Sequence, residues 1–74
     1  MSEPQVVFLF HASAHALRAE KVLQQAGIAC KLIPVPRQLS SDCGVCLRLA
    51  RRDQDAARDV LTSARVEVAA THEA

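Results

Sequence analysis

Apolar residues along this chain follow two spacings, and each change of spacing marks a new element. Val6-Val7-Phe8-Leu9-Phe10 is an unbroken apolar run, partly β-branched and partly aromatic. So short a run predicts a strand buried on both faces, and hence a central one. From residue 14 to 26 the spacing lengthens. Ala16, Ala19, Leu23 and Ala26 recur at helical intervals with Val22 beside them, while Arg18, Lys21 and Gln25 fall on the other side. The stretch is rich in good helix formers. Ser13 suits the N-cap, and Gly27 suits the C′ position that ends a helix. Residues 29–35 predict a second strand. Pro34 and Pro36 at its end cannot donate to a ladder, which assigns this strand to a sheet edge. Val45, Leu47 and Leu49 then alternate with Cys46, Arg48 and Ala50, a third strand of period two. Asp53 can cap a second helix whose apolar face is Ala57, Val60, Leu61 and Ala64. Residues 66–69 predict a short fourth strand, and residues 71–74 are expected to fray.

The resulting order is β-α-β-β-α-β. It predicts an α+β fold, the ferredoxin-like sandwich: a four-stranded antiparallel sheet in the order 4-1-3-2 with both helices on one face. The whole chain, residues 1–74, reads as a single domain. Two signs agree with this topology independently. The strand apolar on both sides takes a central place, and the strand with the prolines takes an edge. The topology also sets the end of strand 1, the start of helix 1 and the loop between strands 2 and 3 at one end of the sheet. One tension remains. Helices cover one face only, so either Val7 and Leu9 or Val6, Phe8 and Phe10 must point away from them. An uncovered apolar face implies a docking partner or a second copy of the chain.

Composition narrows the function. A chain of 74 residues buries only about 60% of the surface its unfolded form exposes, so its stability is modest. Half the residues are apolar, which argues against disorder. The net charge is +1, leaving no global field for DNA or RNA, and the near absence of aromatics removes a stacking platform. No apolar run approaches the roughly 20 residues that span a bilayer. The first residues lack the basic start of a secretory signal, so a cytoplasmic protein is expected.

The chemistry concentrates in Arg37-Gln38-Leu39-Ser40-Ser41-Asp42-Cys43-Gly44-Val45-Cys46-Leu47-Arg48. It holds two of the three cysteines, and an odd count argues against a secreted disulfide scaffold. In a reducing compartment a Cys-x-x-Cys pair means metal, redox or sulfur chemistry more often than a structural bridge. A thiol is a nucleophile only as thiolate, and nearby positive charge with partial exposure favours that form. Arg37 and Arg48 can supply the charge, Ser40 and Ser41 hydrogen bonds to a bound anion, and His11 a base, with Gly44 giving the loop its turn. If the strand begins at Gly44, Cys43 lies on the loop as the exposed nucleophile, while Cys46 points off the sheet with Arg48. Extended, the two Cα atoms stand roughly 10 Å apart, beyond the roughly 7 Å that a disulfide tolerates. Cys30 reads as a small buried apolar residue.

The stretches Ile33-Pro34-Val35-Pro36-Arg37, Ser40-Ser41-x-Cys43-Gly44 and Leu47-Arg48 resemble a family of small bacterial domains described as selenium/sulfur carrier-like proteins. The resemblance extends upstream to Ala16-Leu17-Arg18-Ala19-Glu20-Lys21 and Gly27-Ile28, and covers about residues 6 to 70. It implies that the chain holds sulfur or selenium as a cysteine persulfide or selenopersulfide on Cys43, with the Cys-Gly pair carried over as Cys43-Gly44. It further implies donor and acceptor proteins such as a cysteine desulfurase, a carrier rather than a true catalyst, and no cofactor. Cys46 could resolve the adduct. Two alternatives use the same cysteines. A zinc module would draw on Cys43, Cys46, His11 and His15, although the spacing fits no standard zinc pattern closely. A thiol-disulfide redox protein would share the Cys-x-x-Cys spacing. Such motifs open a helix, whereas here the cysteines precede a strand.

Overall fold

The computed structural model describes residues 3–35 and 44–73. The unbroken apolar run forms the middle of the sheet. β1 (Gln5–Leu9) pairs antiparallel with β3 (Val45–Ala50) on one side and with β4 (Ala70–Glu73) on the other. β2 (Cys30–Pro34) pairs with the outer edge of β3, giving the order β2-β3-β1-β4. Read from β4, this is the 4-1-3-2 order of the ferredoxin-like fold. The edge place of β2 follows from its proline: Pro34 occupies its last position, opposite Val45, where a missing N–H costs the ladder little.

α1 (Ser13–Gln25) and α2 (Gln54–Ser63) cover one face. Beneath them lies the main core, in which Val6, Phe8 and Phe10 of the β1 segment meet Ala16, Ala19 and Leu23 of α1, Leu47 and Leu49 of β3, and Ala57 and Leu61 of α2. With two aromatics in the chain, Phe8 and Phe10, at 0% and 1% exposure, supply the largest side chains of that core.

The helix ends carry most of the local detail. Ala12, not Ser13, is the N-cap of α1, and no side chain caps it; Ser13 is the first helical residue. Likewise Asp53 precedes α2 without a capping side-chain bond. A 3₁₀ turn, Arg51–Asp53, leads from β3 into that helix instead. At the far end of α1, Gly27 takes φ +79°, its N–H donates to the Gln24 carbonyl at 3.1 Å, and the Ile28 N–H donates to the Leu23 carbonyl at 2.9 Å. These two bonds make a Schellman motif. α2 ends the same way, with Arg65 N–H to Thr62 O at 3.0 Å and Val66 N–H to Leu61 O at 2.9 Å. Here, however, the left-handed position is held by an arginine, at φ +60°.

That second motif relocates the last strand. Residues 66–69, expected to be strand 4, are unpaired as a strand. Val66 is consumed as the apolar residue after the helix terminus and is buried in the main core. Pairing with β1 begins at Ala70, opposite Leu9, and runs to Glu73, opposite Val6. The segment expected to fray is therefore the strand.

The left-handed Arg65 yields a prediction. A non-glycine residue there costs roughly 1–2 kcal/mol, part of which glycine returns as chain entropy. Arg65→Gly is expected to stabilise the fold by about 0.5–1 kcal/mol, raising Tm by about 3–6 °C for a domain of this size. A lowered Tm in a calorimetric scan would show that the arginine side chain contributes more than its backbone loses.

The face away from the helices differs from expectation. Val7 and Leu9 do point there, with Cys46 between β1 and β2, but at 1% and 4% exposure they are enclosed rather than open. They form a second small cluster with Cys46, edged by Ile33, Val35 and Ala70. Among the described residues the one exposed large apolar side chain is Leu17, on α1.

Candidate functional site

Two described residues frame the cysteine loop. The Val35 N–H donates to the Gly44 carbonyl at 3.2 Å, so β2 leaves the sheet and β3 enters it at one backbone bond. Gly44 is exposed and takes φ +77°. A Cβ there would meet nothing within 4 Å. It is the backbone angle, not lack of room, that calls for glycine. The turn that precedes β3 is thus bonded directly to Cys43. Cys43 itself lies outside the described residues, as do Arg37, Ser40 and Ser41.

Cys46 stands two residues into β3, opposite Leu9 on β1 and Ile33 on β2. It points to the helix-free face, as its alternation with Leu47 predicts. Its exposure is 0%, and its Sγ approaches the Pro34 carbonyl at 3.9 Å. A thiol at 0% exposure is closed to an attacking partner. The third cysteine, expected to be buried, is half-buried. Cys30 lies against the main core, its Sγ 3.9 Å from the Glu20 carbonyl. Burial, and then the Glu20 carboxylate, push its thiol above the usual range.

The register settles where the remaining candidates sit. Leu9 opposite Cys46 brings the β1–α1 turn and the entry to β3 to one end of the sheet, as the topology predicts. His11 occupies that turn, is exposed, and places Nε2 3.9 Å from Glu67 Oε1. Among the described residues its ion-pair partner is thus a carboxylate in the segment before β4. Arg48, by contrast, lies opposite Val7 and Lys31, four residues beyond Gly44. At the rise of a strand that is about 13 Å, more than a Debye length at 0.1 M salt. His15 is exposed on the first turn of α1. Among the described residues no group of three His, Cys, Asp or Glu side chains is placed to hold a metal ion, and no helix is long and apolar enough to cross a membrane.

One arrangement went unread in the sequence. The β2–β3 pairing sets Lys31 directly opposite Arg48 on the helix-free face. Two like charges in such a pair are destabilising. The signal lay in matching Ile33 to Cys46, which fixes the register of every other pair, but the loop between the strands is too long for its length alone to give that match.

Comparison with known proteins bears on the whole chain. The family described as "Putative Se/S carrier protein-like" matches residues 5–73. The uncharacterized protein YtiA of Escherichia coli (strain K12) is 36% identical over 45 residues. That match covers 61% of this chain and 53% of the relative, so it spans about half of the relative's length. No solved structure matches the chain.

Proposed function

Because the chain belongs to the Se/S carrier protein-like family, we propose that it carries sulfur or selenium on Cys43 and hands the atom from a donor protein to an acceptor. The observation that supports Cys43 is the state of the other two thiols. Burial and then the Glu20 carboxylate push the Cys30 thiol above its ordinary range, and Cys46 is enclosed in the far-face cluster. Cys43 is joined to an exposed glycine at the turn into β3.

The chemistry is two thiol exchanges. The Cys43 thiolate attacks the outer sulfur or selenium of a donor's persulfide or selenopersulfide. A new bond to Cys43 Sγ forms, the donor's bond to that atom breaks, and the donor cysteine leaves as thiolate. An acceptor thiolate then attacks the same outer atom, and Cys43 leaves as thiolate. Electrons balance in both steps without an outside oxidant or reductant, and no cofactor enters. Release falls to the acceptor rather than to Cys46, since attack by Cys46 would first require it to leave its packed position. A carrier thiol has to stay out of disulfides between loads, which fits the cytosol, and a cysteine desulfurase is the natural class of donor.

The test is the intact mass after incubation with a cysteine desulfurase and either cysteine or selenocysteine. The wild type, Cys30→Ala and Cys46→Ala are expected to gain one reducible sulfur or selenium atom, and Cys43→Ala none. An adduct retained by Cys43→Ala, or absent from every form, overturns the proposal. A native mass containing zinc that disappears with either Cys43→Ala or Cys46→Ala would replace the carrier with a metal site.

A further inference from the structure

The chain is nearly neutral and its helices carry both signs of charge, but the strand positions of the helix-free face carry basic residues and no acid. On the helix-free side the pairings line up Lys31, Arg48, Val7 and His72 in a single row across all four strands. Lys31 and His72 are exposed and Arg48 is half-buried. No acidic residue holds a strand position on that face: Glu73 pairs with Val6, whose side chain belongs to the helix-side core. Among the described residues the other arginines of this region have carboxylates, Arg51 with Glu73 at 3.2 Å and Arg52 with Glu3 at 2.7 Å. Among the described residues Lys31 and Arg48 have none. The acids Glu20, Asp55 and Asp59 lie on the helices.

A directly opposed Lys–Arg pair weakens the sheet, so folding does not account for it. Complementary charge on a partner does, because potentials of opposite sign steer encounter and fix register. We propose that the Lys31–Arg48–His72 row is a docking surface for an acidic segment of a partner protein. Within the row Val7, at 1% exposure, stands between Arg48 and His72, and with Leu9 and Cys46 it forms the apolar floor beneath them. A second basic group, His15, Arg18 and Arg65, lines a groove at the other layer with Glu67, and Arg18 is directed to the Ala64 carbonyl. Glu3 and Asp53 likewise line the hollow beside Lys31 and Arg48, but no acid holds a strand position in the row itself. The row also extends the carrier reading without resting on Cys43, which stands outside it.

The experiment titrates a ten-residue oligoglutamate peptide into the labelled protein at low salt, followed by backbone amide shifts. Saturable shifts are expected at Lys31, Arg48, His72 and their strand neighbours, and are expected to fade as salt rises. Lys31→Glu should weaken binding by about tenfold or more. The same change replaces a like-charge pair by an ion pair with Arg48, so Tm should rise by about 2–5 °C. Loss of binding joined to gain of stability is the signature, and a purely structural Lys31 would not produce it. Lys31→Gln provides a milder variant with the same direction of effect. Lys21→Glu, an equal charge change on the helix layer, should bind as the wild type does, and so should Cys43→Ala, which separates this inference from the carrier test. The proposal fails if no saturable shift appears at low salt, or if the shifts fall on the helices. It fails equally if Lys21→Glu weakens binding as much as Lys31→Glu does. A ten-nucleotide oligothymidylate that binds the same row more tightly than the peptide would assign the surface to nucleic acid instead.

Discussion

Phe8→Ala is expected to destabilise the protein by about 3–5 kcal/mol. Phe8 is completely buried at the centre of β1, paired with Leu47 on one side and Thr71 on the other. It shares the main core with residues from both helices. Removing the ring loses its transfer free energy and leaves a cavity that a core of Val, Leu and Ala cannot refill. A smaller loss comes from Arg58, whose guanidinium lies 5.8 Å from the ring centroid and whose side chain also donates to the Thr71 hydroxyl. A domain of this size is stable by roughly 4–11 kcal/mol, so this one change removes a large share of the total. Urea unfolding followed by circular dichroism should show the midpoint falling with little change of slope. A loss below about 1.5 kcal/mol would mean that the ring is not the centre of the core.

Leu9→Ala is expected to cost about 2–4 kcal/mol, and its value lies in the contrast it draws. Leu9 sits on the helix-free face, where an open antiparallel sheet would leave it in water. There the substitution would cost no more than about 1 kcal/mol, the whole span of strand propensity. Leu9 is instead 4% exposed, enclosed with Val7 and Cys46. Leu17→Ala is the matched control. At 54% exposure on α1, it should change stability by less than about 0.5 kcal/mol. If Leu9→Ala behaves like Leu17→Ala in the same urea series, the far face is open after all. An apolar surface free for a second copy of the chain then becomes the better account, and sedimentation across a range of concentrations would show it.

Both experiments bear on the site as well as on the fold. Cys46 is part of the far-face cluster, so a cluster worth several kcal/mol makes that thiol costly to expose. Of the residues the sequence singled out around the cysteines, Gly44, Cys46, Arg48 and His11 are described: His11 and Gly44 lie at one end of the sheet, while Cys46 and Arg48 stand further along β3. Gly44 lies at the turn, Cys46 within a packed cluster, and Arg48 a further half-strand along, opposite Lys31. His11 faces Glu67. Closeness in a linear motif does not by itself give Cys46 and Arg48 the surroundings of Gly44. Strand alternation and cross-strand pairing send neighbours in sequence to different surroundings.

Local signals were enough for the framework. Apolar spacing marked β1, α1, β3 and α2, Gly27 marked the end of α1, and the prolines with the doubly apolar strand placed β2 at the edge and β1 in the middle. These features act within a few residues, or through burial that composition alone reports, so the sequence by itself determined them. What only the tertiary structure decided was register and coverage. Val66 could have opened a strand, but the end of α2 draws it into the core and moves β4 to residue 70. Val7, Leu9 and Cys46 could have faced water, but they are enclosed. Lys31 could have lain beside any residue of β3, but it meets Arg48. Each of these outcomes depends on which distant residue stands opposite, a choice made by the sum of all cross-strand contacts rather than by the residues flanking it in the chain.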